Sequence, residues 1–175
     1  MEGAEAEILS LARRAVEHYV RTGAFLPPPS DLPVRLKDAG AAFVSLRLDK
    51  TLRGCIGTLV PTKPTLAEEI IANAVAAAVS DPRFPPVTVD ELPTLSYEVD
   101  ILGPLVSVRG EDELDPERYG VVVESGKRRG VLLPALEGVT SREQQVAIAM
   151  TKAGIDPDEP VTFYRFTVTR FREDQ

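Results

Sequence analysis

Hydrophobic positions along the chain recur at helical spacing in three stretches and alternate with polar ones over much of the remainder. From about Glu5 to Arg21, Ile8, Ala12, Ala15 and Tyr19 fall on one stripe, which predicts an amphipathic helix. Thr65-Leu66-Ala67-Glu68 reads as a capping box and opens an alanine-rich helix reaching about Val79. Ser141-Arg142-Glu143-Gln144 is a second such box. It starts a third helix with Val146, Ala149, Met150 and Ala153 on its apolar stripe and Gly154 as its C-terminal cap.

Strand patterns fill the gaps. FVSLRL (43–48) and LRGCIGTL (52–59) read as a hairpin, and YGVVVE (119–124) and RGVLLP (129–134) form another across SGKR. In LSYEVDIL (95–102), Leu95, Tyr97, Val99 and Ile101 alternate with Ser96, Glu98 and Asp100, which predicts one buried and one solvated face. VTFYRFTVTRF (161–171) reads as one long closing strand. Proline-rich connections, LPPPS, PTKP, DPRFPP and DPDEP, punctuate the chain without dividing it into independent domains. Hairpins interspersed with helices, without regular strand–helix alternation, predict an α+β fold: a mainly antiparallel sheet with flanking helices.

The first hairpin allows its register to be read. A three-residue loop, Asp49-Lys50-Thr51, pairs Leu48 with Leu52, Leu46 with Gly54 and Val44 with Ile56 on one apolar face. The other face then pairs Arg47 with Arg53, Ser45 with Cys55 and Phe43 with Gly57. In that register Arg53 and Cys55 share a face about 7 Å apart, and Gly57 leaves a notch beside the sulfur. Two facing arginines repel unless an anion lies between them, and they favour the thiolate form of a nearby cysteine. Against this stands the ordinary state of a free cysteine in a strand, buried and inert. The register leaves both readings open.

Other polar residues stand where the pattern expects apolar ones. Asn73 lies on the stripe Leu66, Ile70, Asn73, Ala77, so its amide needs specific partners, in the fold or in a ligand. Asp81-Pro82-Arg83-Phe84-Pro85-Pro86 follows that helix; its prolines predict an extended connection that is either a plain linker or a rigid mount for Arg83 and Phe84. His18 flanks the first helical stripe and reads as a partly buried structural histidine. Glu98 and Asp100 share a strand face, as paired carboxylates or as an ordinary solvated face. Lys127-Arg128-Arg129 reads as a solvated hairpin tip.

Composition narrows the chemistry. The 175 residues are 43 % hydrophobic and 27 % charged, which fits one globular domain with a real core. A formal net charge of −7 opposes broad attraction to phosphate backbones. One cysteine and one histidine exclude a Cys/His zinc site within a single chain, while carboxylates could still hold Mg²⁺ or Mn²⁺. No disulfide can form internally, and neither a signal peptide nor a membrane-spanning run is present, so a cytoplasmic home is expected. No Walker loop, G-x-S-x-G or G-x-G-x-x-G occurs, and no cofactor is expected.

Taken together, LRGCIG, a proline-containing loop, an alanine-rich helix bearing NA, then DPRFPP, DELP and the E-V-x-I-L strand resemble the AMMECR family, whose bacterial and archaeal relatives are called AmmeMemoRadiSam system protein A. LARRAVEHYV, RGVLLP, KAGI and the F-x-V-x-x-F ending extend the resemblance over nearly the whole chain. It implies a single domain, residues 1–175, of two unequal lobes, with LRGCIG and DPRFPP lining a cleft between them. The family's signature falls on Leu52, Arg53, Gly54, Cys55, Ile56 and Gly57, with Asn73, Asp81, Arg83, Phe84 and Pro85. It also implies company, a Memo-type protein and a radical SAM protein, but it supplies no reaction. The short segment after LLP and the lack of tryptophan depart from many relatives.

Three functions compete. In the first, the chain is an enzyme or enzyme-system subunit that binds an anionic small molecule or nucleotide. Cys55 and Asp81 are then the candidate catalytic groups, and Arg53, Gly54, Gly57, Asn73, Arg83 and Phe84 bind the ligand. The second is a non-catalytic partner-binding module, and the third an RNA- or DNA-binding protein.

Overall fold

Two eight-residue strands, 41–48 and 95–102, lie side by side at the centre of a sheet. In the computed structural model, which describes residues 2–173, β1 (Ala41–Leu48) pairs with β2 (Thr51–Gly57) on one side and with β3 (Leu95–Leu102) on the other, both antiparallel. β8 (Val168–Arg172) flanks β3, giving the order β2-β1-β3-β8. One face of this sheet is apolar. Val44, Leu46, Tyr97 and Val99 share a core with Ile8, Leu11, Ala12 and Ala15 of α1 (Glu2–Thr22) and Leu66, Ile70, Ala74 and Ala77 of α3 (Leu66–Val79). A short helix, α2 (Val34–Lys37), adds Leu36 to the same core.

The described residues divide into two compact units. The first is the chain up to Leu102 together with the residues from Thr169 on, and the second is Gly103–Val168. In the second, β4 (Val106–Val108), β5 (Gly120–Ser125), β6 (Arg128–Leu132) and β7 (Thr162–Phe166) form an antiparallel sheet of order β4-β7-β5-β6. Helix α4 (Arg142–Ala153) packs on β5 and β6 through Val146, Ala149 and Met150.

Local chemistry sets the helix ends where the sequence predicts them. The Thr65 hydroxyl accepts from Glu68 N at 3.2 Å, which caps α3, and donates to Glu68 Oε2 at 2.8 Å, so the carboxylate meets the hydroxyl rather than the Thr65 N–H of the predicted capping box. Ser141 accepts from Gln144 N at 3.1 Å, and Gly154 closes α4 with φ of +64°, a conformation open to glycine at little cost. Among the described residues no helix is long and apolar enough to cross a membrane.

The structure departs from the sequence reading at identifiable points. The stretch 161–171 is two strands, β7 and β8, in different sheets, because the chain breaks at Thr167, whose carbonyl accepts from Gly103 N at 2.9 Å. Both strands are rich in aromatic, threonine and arginine residues, so their similar composition hides the handover. The first hairpin turns through two residues rather than three. Asp49 and Lys50 both take positive φ (47° and 65°), the geometry that matches strand twist in a two-residue turn. Leu48 therefore faces Thr51 and Arg47 faces Leu52, and a bulge restores the predicted pairs from Leu46–Gly54 onward. Arg47 and Arg53 do not face each other. Residues 81–84 form a turn, not an extended connection, with Phe84 N donating to Asp81 O at 3.1 Å.

Glycine at position 54 is what allows α3 to seat against β2. A Cβ there would lie 2.1 Å from the carbonyl oxygen of Ala77, backbone against backbone, so neither side can yield by rotating a side chain. Gly130 of β6 meets the carbonyl of Ala149 on α4 in the same way, at 1.9 Å. Gly54→Ala should force α3 off the sheet and cost about 1–3 kcal/mol or more, read as a lower thermal midpoint. Gly110→Ala, whose Cβ would meet only the Asp112 carboxylate at 3.0 Å, should change little. Equal midpoints for the two variants would contradict this packing.

Candidate functional site

Cys55 sits on β2, half-buried, on the sheet face turned away from α1 and α3. Its neighbour across the strands is Ser45, whose hydroxyl donates to Sγ at 3.1 Å. The Cys55 backbone points outward from the sheet edge. Its N–H donates to Asp81 Oδ2 at 2.9 Å, and its carbonyl accepts from Arg83 Nη2 at 3.5 Å. A residue whose backbone bonds face outward belongs to a non-hydrogen-bonded pair, the closer of the two antiparallel types, which brings the serine and cysteine side chains together.

The turn after α3 thus acts as a side-chain substitute for a missing neighbouring strand. Asp81 occupies the first turn position and Pro82 the second, as residue preference in such turns dictates. Asp81 Oδ1 accepts from Arg83 N and Nε, both at 3.0 Å, and Oδ2 accepts from Arg83 Nη2 at 2.7 Å as well as from Cys55 N. The Arg83 guanidinium holds this carboxyl far below the usual carboxylate range. Burial opposes the shift, and the two backbone N–H donors reinforce it. Arg83 is raised in turn, first by Asp81, with a smaller contribution from the charge on Cys55. The Asp81 side chain is only 2 % exposed, whereas that of Arg83 is 54 % exposed, with its guanidinium 5.5 Å from the centre of the Phe84 ring. Asp81 is therefore a fixed acceptor, unsuited to take up a proton near neutral pH.

Arg53, placed by sequence beside an anion, is occupied inside the fold. It makes a two-pronged pair with Glu91 (Nε–Oε1 2.7 Å, Nη2–Oε2 3.1 Å) and donates to the Pro85 carbonyl at 2.9 Å. Glu91, in the 3₁₀ turn Val89–Thr94, also accepts from the backbone N–H and hydroxyl of Thr88. These contacts, Arg53 foremost, lower the Glu91 carboxyl to about 2 against the opposing effect of burial. Glu91 lies within DELP but has no part in the sequence-based site; Thr88-Val89-Asp90-Glu91 has the spacing of a capping box, and that was the available signal.

Two glycines and an asparagine proposed to face a ligand face the protein. Gly54 is pressed on α3. The ring of Phe43 covers Gly57, where a Cβ would sit 2.1 Å from Cγ, so the expected notch beside the sulfur is filled by an aromatic neighbour. Asn73 Nδ2 donates to the Ala42 carbonyl at 2.9 Å and to Thr58 Oγ1 at 3.3 Å. Glu69, unrecognised in the sequence, lies one helical turn before Asn73 on the same stripe and is fully buried. It accepts from Thr58 Oγ1, Thr62 N and Oγ1, and Lys63 N at 2.6–2.9 Å, fastening the loop after β2. Burial pushes this carboxyl up, but the bonds outweigh it and its pKa is lowered.

Glu98 and Asp100 are not solvated as the alternation predicted; they are 4 % and 1 % exposed. Asp100 pairs with Arg170 at 2.7 and 3.1 Å, and Glu98 with Arg172 at 2.6 Å and Arg170 at 3.6 Å. Burial raises Asp100, only partly offset by Arg170. The burial of Arg170 works to lower its pKa, but Asp100, Glu98 and the charge on Cys55 raise it on balance. His18 is half-buried on α1. Among the described residues no three His, Cys, Asp or Glu side chains are placed to share a metal ion.

Known proteins resemble this chain along almost all of its length. The family model described as AMMECR1 matches residues 9–172. A Thermotoga maritima protein is 53 % identical over 164 residues, covering 92 % of this chain and 94 % of its own. A Clostridium acetobutylicum protein is 44 % identical over 94 % of this chain, but the match spans only 36 % of that longer protein. A solved structure of an uncharacterised Pyrococcus horikoshii protein superposes with a TM-score of 0.92 at 36 % identity, covering 98 % of this chain and 92 % of the other.

The Arg53–Glu91 pair carries a pH signature. The folded value of Glu91, about 2, lies below its ordinary 4.5, so the pair stabilises the fold fully above pH 4.5 and is lost as pH falls towards 2. Asp81 adds the same sign at the acid end. Urea midpoints measured across this window should fall with acid in the native chain and fall less steeply in Glu91→Gln. Parallel acid limbs would contradict the assignment.

Proposed function

The chain belongs to the AMMECR1 family, and on that premise we propose that it is an enzyme or enzyme-system subunit whose reactive group is Cys55 and whose ligand is an anionic small molecule or nucleotide. One observation carries the reading. The Asp81–Arg83 turn fixes the Cys55 backbone by two hydrogen bonds, yet leaves Cys55 half-buried and the Arg83 side chain more than half exposed with its guanidinium beside the Phe84 ring. A thiolate is the nucleophilic form of cysteine, a guanidinium suits phosphate or carboxylate, and a neighbouring ring offers a planar ligand a surface. Arg53, Gly54, Gly57, Asn73 and Asp81 are assigned to holding this arrangement, because their polar atoms or their missing side chains are occupied within the fold.

A second reading, a non-catalytic docking module working with a Memo-type and a radical SAM protein, draws support from two observations. Most of the signature is architectural, and in the Clostridium acetobutylicum relative the matched region is 36 % of a longer chain.

Alkylation by iodoacetamide distinguishes the two. The first reading expects native Cys55 to react with an apparent pKa below the ordinary value of about 8.5. It also expects inorganic pyrophosphate or AMP to slow that reaction in the native chain and not in Arg83→Gln. A thiol sealed from the reagent, or one titrating at about 9 or above, would favour the docking module.

A further inference from the structure

On the polar face of the first sheet, one row of side chains crosses three strands. Register places Cys55 of β2 opposite Ser45 of β1, and Ser45 opposite Glu98 of β3. Ser45 is 5 % exposed, so its hydroxyl has little access to water and must choose between its two neighbours. Glu98 would ordinarily be the stronger acceptor. Its carboxylate, however, is engaged by Arg172 at 2.6 Å and Arg170 at 3.6 Å. The Ser45 hydroxyl instead makes its hydrogen bond to Cys55 Sγ at 3.1 Å.

We infer that Ser45 is a positioning residue for Cys55, donating its hydroxyl to the sulfur so as to favour the thiolate, with Arg172 and Arg170 holding Glu98 away from that hydroxyl. The inference rests on the reading of Cys55 as the reactive group. The chemistry is one deprotonation. The thiol loses its proton to solvent buffer, Ser45 keeps its own, and the O–H that faces sulfur becomes a stronger bond once the acceptor is charged.

The charged groups around the sulfur are consistent with this part. Arg83, paired with Asp81, lies beside Cys55 on the edge, and Arg170, paired with Asp100, lies across the sheet; both guanidiniums interact electrostatically with the cysteine. The nearest carboxylates, Asp81, Glu98 and Asp100, each have an arginine partner. Arg53 is tied to Glu91.

The test is the pH dependence of iodoacetamide labelling in the full chain, compared for the native protein, Ser45→Ala and Ser45→Thr, with folding of each checked by circular dichroism and thermal midpoint. Ser45→Ala should raise the apparent thiol pKa by about one unit, a tenfold loss of thiolate near neutral pH. Ser45→Thr keeps a hydroxyl on a β-branched side chain suited to a strand and should restore most of the native value. A low native pKa unchanged in Ser45→Ala overturns the role of Ser45 alone, as does a Ser45→Thr protein that is folded yet behaves like the alanine variant. A native pKa of about 9 or above overturns the reactive-cysteine reading and this inference with it.

Discussion

The contact on which the edge of the first unit's sheet depends is the hydrogen bond from the Cys55 N–H to the Asp81 carboxylate. β2 is an edge strand, and an edge leaves unpaired N–H and C=O groups that must be covered or solvated. Here a four-residue turn does the covering. Asp81 takes the N–H, Arg83 reaches the C=O, and the two side chains are bonded to each other. Pro82 presets the turn that brings them there. Because the backbone of Cys55 is held on the outside of the sheet, its side chain is fixed against Ser45 on the far side of the strand from α3.

The same logic separates the residues that build the site from those that could act in it. Gly54 admits α3 to the back of the strand, Gly57 admits the Phe43 ring, Glu69 and Asn73 fasten the following loop, and Arg53 with Glu91 ties the strand to the 3₁₀ turn before β3. What remains at least partly exposed among the signature residues not tied up in this way is a small set: Cys55, Arg83 and Phe84. Buried ion pairs such as Arg170–Asp100 stabilise little on balance, since desolvation of both charges offsets their attraction. Here they keep a charged layer ordered behind the sulfur.

Much of this was legible in the sequence because its causes are local. The N-caps at Thr65 and Ser141, the glycine that ends α4 and the pairing of Ser45 with Cys55 follow from spacing along the chain, and each is found in the structure. What spacing hides is partnership at long range. The Arg47–Arg53 pair failed because turn length is set by the φ angles of Asp49 and Lys50, neither of which is a glycine or asparagine that would advertise a two-residue turn. Glu98 and Asp100 read as solvated because alternation reports which face a residue is on and not what lies against that face. The roles of Glu91 and Glu69 are hidden for the same reason: the arginine that pairs with Glu91 is 38 residues away, and the threonine and backbone donors to Glu69 are 6 to 11 residues away. The resemblance marks the signature positions as a group without telling architecture from chemistry.

The central claim, that Asp81 anchors the edge strand at Cys55, is tested most directly by amide hydrogen exchange at that residue. In the native chain the Cys55 amide should be protected although it lies on an edge. In Asp81→Ala its protection should collapse towards that of an open edge, while the Ile56 amide, which alternation turns inward to β1, keeps most of its own. A Cys55 amide that exchanges freely in the native chain, or one equally protected with and without the carboxylate, would contradict the account.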